Sequence, residues 1–240
     1  MPVKRLTAPG STSGVNILKS GTDYDAVHDA SAGTNAGNAD TKFTLHAKSG
    51  SNYLIRRGIL IYDFRGSEVP TFIKVRRAQI VVSDTTIAAP QTDGNQVRVA
   101  WLHNPNTFGS SHANDFDKDR MTDSTKSSAQ SVGSPPGGDD GVIIELDNRE
   151  LLDQLEYAIN SKTYLHLMIR NQLDYADTTA TGVNRVWFDR PNADDKPLEL
   201  VVYFRRRNND QNIGRGLGSV CSSGFGQDSV FSGTNSGFGN

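Results

Sequence analysis

Arg57-Gly58-Ile59-Leu60-Ile61-Tyr62-Asp63-Phe64 is the stretch on which the fold turns. It closes a strand-length apolar run that begins at Tyr53, and its dominant residues are the β-branched and aromatic ones that pack well on a pleated sheet. Tyr62 and Phe64 flank Asp63 and are expected to face a core. Runs of the same kind recur at 15–18, 42–47, 75–82, 97–102, 142–146, 163–169, 183–188 and 198–204, separated by polar turn clusters. In 163–170, Leu165, Leu167 and Ile169 share one face, while Tyr164, His166, Met168 and Arg170 share the other. That alternation predicts one covered face and a solvated His166. A single segment has helical spacing: after Asp147 or Asn148 as N-cap come Leu151, Leu152, Leu155, Ala158 and Ile159, with Glu150 near the positive end of the helix dipole. Eight or nine strands with one short helix and no βαβ rhythm predict an all-β sandwich, most simply a jelly roll.

Composition narrows the class. The 240 residues suit one large domain or two small ones. A mean hydropathy of −0.50, with no apolar run near the ~18 residues of a bilayer-spanning helix, predicts neither membrane insertion nor a membrane partner. Met1 is followed by Pro-Val-Lys-Arg-Leu-Thr-Ala-Pro-Gly, which lacks the apolar stretch of a secretory signal peptide. The single cysteine, Cys221, cannot close an intrachain disulfide, so a disulfide-stapled scaffold is excluded. A net charge of −2 gives no sign of the broad basic surface that specific nucleic-acid binding requires. Residues 1–14 read as a polar arm, 15–206 as the folded body with a polar insertion at 104–140, and 207–240 as a tail. The tail's 34 residues include eight Gly, six Ser and five Asn, a composition that cannot build its own core.

Arg57–Phe64, followed by Val69-Pro70 and by Val75-Arg-Arg-Ala78-Gln-Ile80-Val-Val82, resembles the "R-x-L-L-x-F-D-L-S-x-I-P … I-x-x-A-x-L-x-L" core of the DNRLRE (disaggregatase-related) jelly-roll domains. Pro197-Leu198-Glu-Leu200-Val-Val202-Tyr203 is similar to their closing strand, and Asn35-Ala-Gly37 to their early "N-x-G". The "T-W-N-N-x-P" stretch of those domains is absent, and the insertion at 104–140 lies in the middle of the chain. The resemblance spans roughly 23–204. It implies a sandwich similar to carbohydrate-binding modules, and a structural Ca²⁺ at the entry to the sandwich, where Asp23, Asp25 and Asp29 cluster. Turn capping is the competing role for those aspartates.

Catalytic signatures are missing. The chain contains no Gly-x-Ser-x-Gly, His-Glu-x-x-His, P-loop or paired-Cys pattern, and His28, His46, His103, His112 and His166 lack ligand spacing. Asp115, Asp117, Asp119 and Asp123 are spaced like the start of an EF-hand loop, but Arg120 and Lys126 stand where Gly and Glu would be required, so a solvated acidic loop is the expectation. Trp101 and Trp187 are either a sugar-stacking platform or core. Arg205, Arg206 and Arg207 close the last strand and, with Arg215, suit contact with phosphate or an acidic neighbour; charge that keeps the strand end soluble is the competing role. Phe225, Phe231 and Phe238 punctuate the tail, two of them inside repeated Ser-Gly-Phe-Gly units, and read as anchors on neighbouring copies.

These features predict a non-enzymatic structural subunit of a large assembly. A bacteriophage virion protein fits best, as capsid decoration, minor capsid or tail component, because lysis releases virions without secretion. Its partners would be further copies of itself and other virion proteins, with host glycan as an additional ligand and no cofactor beyond the Ca²⁺ considered above. The alternative is an extracellular carbohydrate-binding module; a polysaccharide-degrading enzyme is a third class with no motif behind it.

Overall fold

A computed structural model describes residues 3–7, 15–35, 42–66, 68–82, 85–103, 105, 113–121, 123–132, 142–188 and 199–206. The chain divides into two units, Met1–Arg205 and Arg206–Asn240, and every described residue except Arg206 belongs to the first. Its strands are β1 (Val3–Thr7), β2 (Val15–Gly21), β3 (Thr34–Asn35), β4 (Lys42–Ser49), β5 (Asn52–Asp63), β6 (Ile73–Val82), β7 (Thr85–Ala88), β8 (Gln96–Trp101), β9 (Gln130–Ser131), β10 (Val142–Glu145), β11 (Tyr164–Asn171), β12 (Val183–Phe188) and β13 (Glu199–Arg206). Helices are α1 (Tyr24–His28), α2 (Arg149–Asn160) and α3 (Gln172–Tyr175), with three 3₁₀ turns at Ala113–Phe116, Lys118–Arg120 and Asp123–Thr125. All nine apolar runs of the sequence are strands.

The result is an all-β sandwich of antiparallel sheets. One sheet has the order β1-β13-β6-β10; the other runs β7-β12-β4-β5-β11-β8-β9, with β2 bonded to β3 and β5. The chain passes from one sheet to the other between β5 and β6, back to β7, across again to β10, back to β11, and finally to β13. Such crossings are the connectivity of jelly-roll and Greek-key sandwiches rather than of a simple meander. β5 organises the larger sheet. It pairs with β4 through Asn52–Arg56, with β2 through Tyr53–Ile59 and with β11 through Gly58–Asp63. Gly50, at φ +61°, supplies the left-handed residue that the two-residue hairpin between β4 and β5 requires.

Between the sheets lies the main core. Leu60, Tyr62 and Phe64 meet Leu165, Leu167 and Ile169 of β11, Val97 and Val99 of β8, Val75, Ala78 and Ile80 of β6, and Leu200 and Val202 of β13. α2 closes one end of it with Leu151, Leu152, Leu155, Ala158 and Ile159. Asn148 is the N-cap, its side chain accepting from the backbone N–H of Glu150 and Leu151. Two α2 side chains also serve the first residues of β6. Asn160 Oδ1 accepts from Ile73 N at 2.9 Å while its Nδ2 donates to Ile73 O at 3.0 Å, and Glu156 Oε2 accepts from Val75 N at 2.9 Å. The helix therefore supplies hydrogen-bond partners to backbone groups at the start of β6.

Two expectations need correction. The residues of the N-terminal arm include a strand: β1 pairs with β13 from Val3↔Tyr203 to Thr7↔Glu199, so part of the arm belongs to the sandwich. The described part of the polar insertion, chiefly 113–121 and 123–132, is not a solvated loop either. Phe116 and Met121, together with Tyr24 and Val27 of α1, cover the second face of the larger sheet in a separate core with Ile17, Ile55, Ile59, Ile61, Ala100, Leu102 and Met168. A few apolar side chains in a polar segment suffice because the face they cover supplies the rest of the contact area.

Core packing predicts unequal costs for Tyr62, on β5, and Phe64, just beyond its end. Phe64 is fully buried, so Phe64→Ala should cost about 3–5 kcal/mol in urea unfolding. The buried hydroxyl of Tyr62 has no partner among the described residues, so Tyr62→Phe should be neutral or stabilising in the same assay.

Candidate functional site

Beneath the overlay formed by α1 and the 3₁₀ turns, β5 and β11 each place an arginine on the apolar outer face. Arg57 is 0 % exposed and Asp174, on α3, is 1 % exposed. Arg57 Nε and Nη2 donate to the two carboxylate oxygens of Asp174 at 2.9 and 2.7 Å, a bidentate pair. The same guanidinium donates to the carbonyls of Phe116 and His28, and its carbon lies 4.2 Å from the centre of the Phe116 ring. Arg170 joins from β11, with Nε 2.8 Å from Asp174 Oδ2 and Nη2 2.8 Å from the Asp174 carbonyl. One carboxylate thus holds two guanidiniums, and one of these holds α1 and the first 3₁₀ turn. Burial alone would raise the Asp174 pKa, but Arg170 and Arg57 outweigh it and hold the carboxyl well below its usual range.

Arg170 of this network also lines a polar cleft of about 450 Å³, with His28, Lys118, Asp119, Met121, Tyr175 and Asp177. Both ring nitrogens of His28 face oxygen: Nδ1 lies 2.6 Å from Asp29 Oδ1 and 3.3 Å from Asp177 Oδ1, and Nε2 lies 2.8 Å from the Asp174 carbonyl. The Tyr175 ring has Lys126 Nζ, Arg98 and Arg170 at 4.7, 4.9 and 5.5 Å from its centre. Opposite charges in the cleft answer one another at close range.

A second hollow, of about 380 Å³, opens beside α2 where β8 ends and β11 begins. Trp101, Tyr157 and Tyr164 line it with Gln154, Ser161, Thr163, His166 and the apolar Leu102, Pro105, Ala158 and Leu165. Tyr157 is 65 % exposed on the outer side of α2. Trp101 packs against the main core while meeting His103 edge-to-face, with ring centres 5.4 Å apart, and the Arg65 guanidinium lies 4.2 Å from the Tyr164 ring centre.

The residues singled out in the sequence separate here. Asp23 is the N-cap of α1, accepting from Ala26 N at 3.2 Å; Asp25 is exposed in the first turn; Asp29 is bound by Lys118 and His28, which lower its pKa. Among the described residues no cluster of three His, Cys, Asp or Glu side chains has the arrangement of a metal site. The EF-hand-like aspartates diverge. Asp115 is buried with Arg120 3.5 Å away, and Asp117 caps the next 3₁₀ turn by accepting from Asp119 N. His166, expected in solvent, is buried under the overlay. Arg205 and Arg206 are exposed at the end of β13. Arg207, Arg215, Phe225, Phe231, Phe238, His112 and the side chains of Trp187 and Asp123 lie outside the described residues. Sequence reasoning missed Arg57, Arg170 and Asp174 as a unit, and it missed Tyr157. Tyr157 carried a signal, an aromatic on the polar stripe of an amphipathic helix.

Comparison with known protein families and with curated proteins finds no match for this chain. Among the described residues no helix is long and apolar enough to cross a membrane.

The buried groups define two stability tests. Asp174→Asn leaves two buried guanidiniums without their counter-charge and should cost about 3–5 kcal/mol by denaturant unfolding. His46 and His166 are pushed by burial from 6.5 down to about 4, so the folded chain resists protonation that the unfolded chain accepts. Their contribution is complete above pH 6.5 and is lost as pH falls toward about 4, at up to ~1.4 kcal/mol per histidine per pH unit. Unfolding midpoints between pH 7 and 4.5 should fall in the native chain and fall less in His46→Gln/His166→Gln.

Proposed function

We propose that the protein is a non-enzymatic structural subunit of a large assembly, a bacteriophage particle component such as a capsid decoration, minor capsid or tail protein. The observation that carries this reading is how the fold uses its buried charges. Arg57, Arg170 and Asp174 are closed on one another and on backbone carbonyls, tying the overlay to the sheet instead of facing a reacting group. Exposed apolar side chains support an assembly role: Ile143 lies on β10, an edge strand, and Phe72 follows the turn before β6. The Gly-rich tail adds Phe225, Phe231 and Phe238 as anchors whose burial on a neighbour would offset the entropy of ordering it.

Incorporation into particles tests the reading. Tagged wild-type chain should co-sediment with particles that lack the native copy, and Phe225→Ser/Phe231→Ser/Phe238→Ser should stay folded and remain in the supernatant. Wild-type chain that fails to sediment rejects the assembly role; equal incorporation of both moves it from the tail to the sandwich. A second reading, glycan recognition by the sandwich, is favoured by the aromatic hollow beside α2, and the two are compatible in a particle that meets a cell surface.

A further inference from the structure

We propose that the hollow beside α2 is a binding site for a short, uncharged saccharide, with Tyr157 as its principal stacking surface. The inference rests on the glycan-recognition reading and assigns it a place and a ligand class. Three aromatic side chains from three different elements converge there: Trp101 from β8, Tyr157 from α2 and Tyr164 from β11. A single exposed aromatic on a helix needs no explanation. One that is 65 % exposed at the rim of a 380 Å³ hollow, beside two further aromatics, does. A sugar ring presents a face of C–H groups that packs on such a ring, and an edge of hydroxyls that must be hydrogen-bonded.

The hollow supplies both kinds of contact. The Gln154 amide, the Ser161 and Thr163 hydroxyls and the tyrosine phenols are neutral donors and acceptors around an apolar floor, the composition of a small-ligand pocket near the low end of the usual size range. Among the described residues no Lys, Arg, Asp or Glu lines it. The Arg65 guanidinium on the Tyr164 ring is already paired with Asp63, so an acidic polysaccharide would bring carboxylates or sulfates to a site whose one neighbouring cation named here is engaged, at a desolvation cost. Burial keeps His166 neutral down to about pH 4, so it adds no cation at neutral pH. The polar cleft on the overlay side has the opposite character, with charges of both signs already engaged.

The test is binding of the full chain to two panels, neutral oligosaccharides (cello-, xylo-, manno- and malto-series) and acidic ones (alginate and polygalacturonate fragments), by titration calorimetry with Trp fluorescence as a second signal. A neutral oligosaccharide should bind, Tyr157→Ala should weaken it about tenfold, and Tyr157→Phe and Tyr157→Trp should retain it. Because Tyr157 is exposed, loss of binding with unchanged unfolding reports the site rather than the fold. Neutral binding that Tyr157→Ala leaves intact overturns the site and leaves glycan recognition standing. Binding confined to the acidic panel overturns the ligand class and likewise leaves that reading standing. Binding to neither panel overturns both.

Discussion

The shared carboxylate of Asp174 is the constraint on which the larger sheet's outer layer depends. Two guanidiniums in an apolar layer would each carry a desolvation cost of several kcal/mol if unpaired. Only a carboxylate delivered to that point by α3 makes their burial tolerable. Because Arg57 also donates to the carbonyls of His28 and Phe116, the same pairing fixes α1 and the first 3₁₀ turn against β5. The charges act as a geometric lock between segments far apart in the chain, and the apolar contacts around them supply most of the favourable burial.

That lock explains why β5 and β11 are buried on both faces, a condition more familiar in parallel sheets covered by helices. Here an antiparallel sheet reaches it with a sheet on one side and a thin layer of turns on the other. The layer holds little regular hydrogen bonding of its own, so side chains and short strand-like contacts tie it down. Ser127 N donates to Val99 O at 2.7 Å, and the Ser127 and Thr125 hydroxyls accept from Val99 N and Trp101 N at 3.0 and 3.1 Å. These bonds occupy the β8 edge that would otherwise be open to another chain.

The strands and α2 were legible in the sequence because burial on one face imposes a period of two or of 3.6. What covers the other face leaves no such mark. Arg170 looked like the polar half of an alternating strand, and His166 like a solvated neighbour, because alternation alone does not distinguish water from a second layer of protein. The layer itself was disguised by its composition: Phe116 and Met121 sit among Asn, Asp, Lys and Ser, and their importance comes from what they touch. β1 was hidden for a different reason. A five-residue edge strand containing Lys and Arg needs only a backbone partner, which β13 provides. In the candidate hollow, Trp101 was named from the sequence, whereas Tyr157 showed there only as an aromatic on the polar stripe of α2, and its meaning depends on how the helix is rotated above β11.

The pairing of β1 with β13 has a bearing on how the chain comes to be folded. Val3 and Tyr203 meet across almost the full span of the described chain, and β6 also reaches its place beside β13 only when the last strand is present. The larger sheet can begin early, since β4 and β5 are joined by a tight hairpin and β2 lies close in sequence. The smaller sheet cannot. While the polypeptide emerges from the ribosome, the smaller sheet lacks the strand that joins β1 to β6 until residues 199–206 arrive, so the inner faces of β5 and β8 are only partly covered before that point and are open to misassociation.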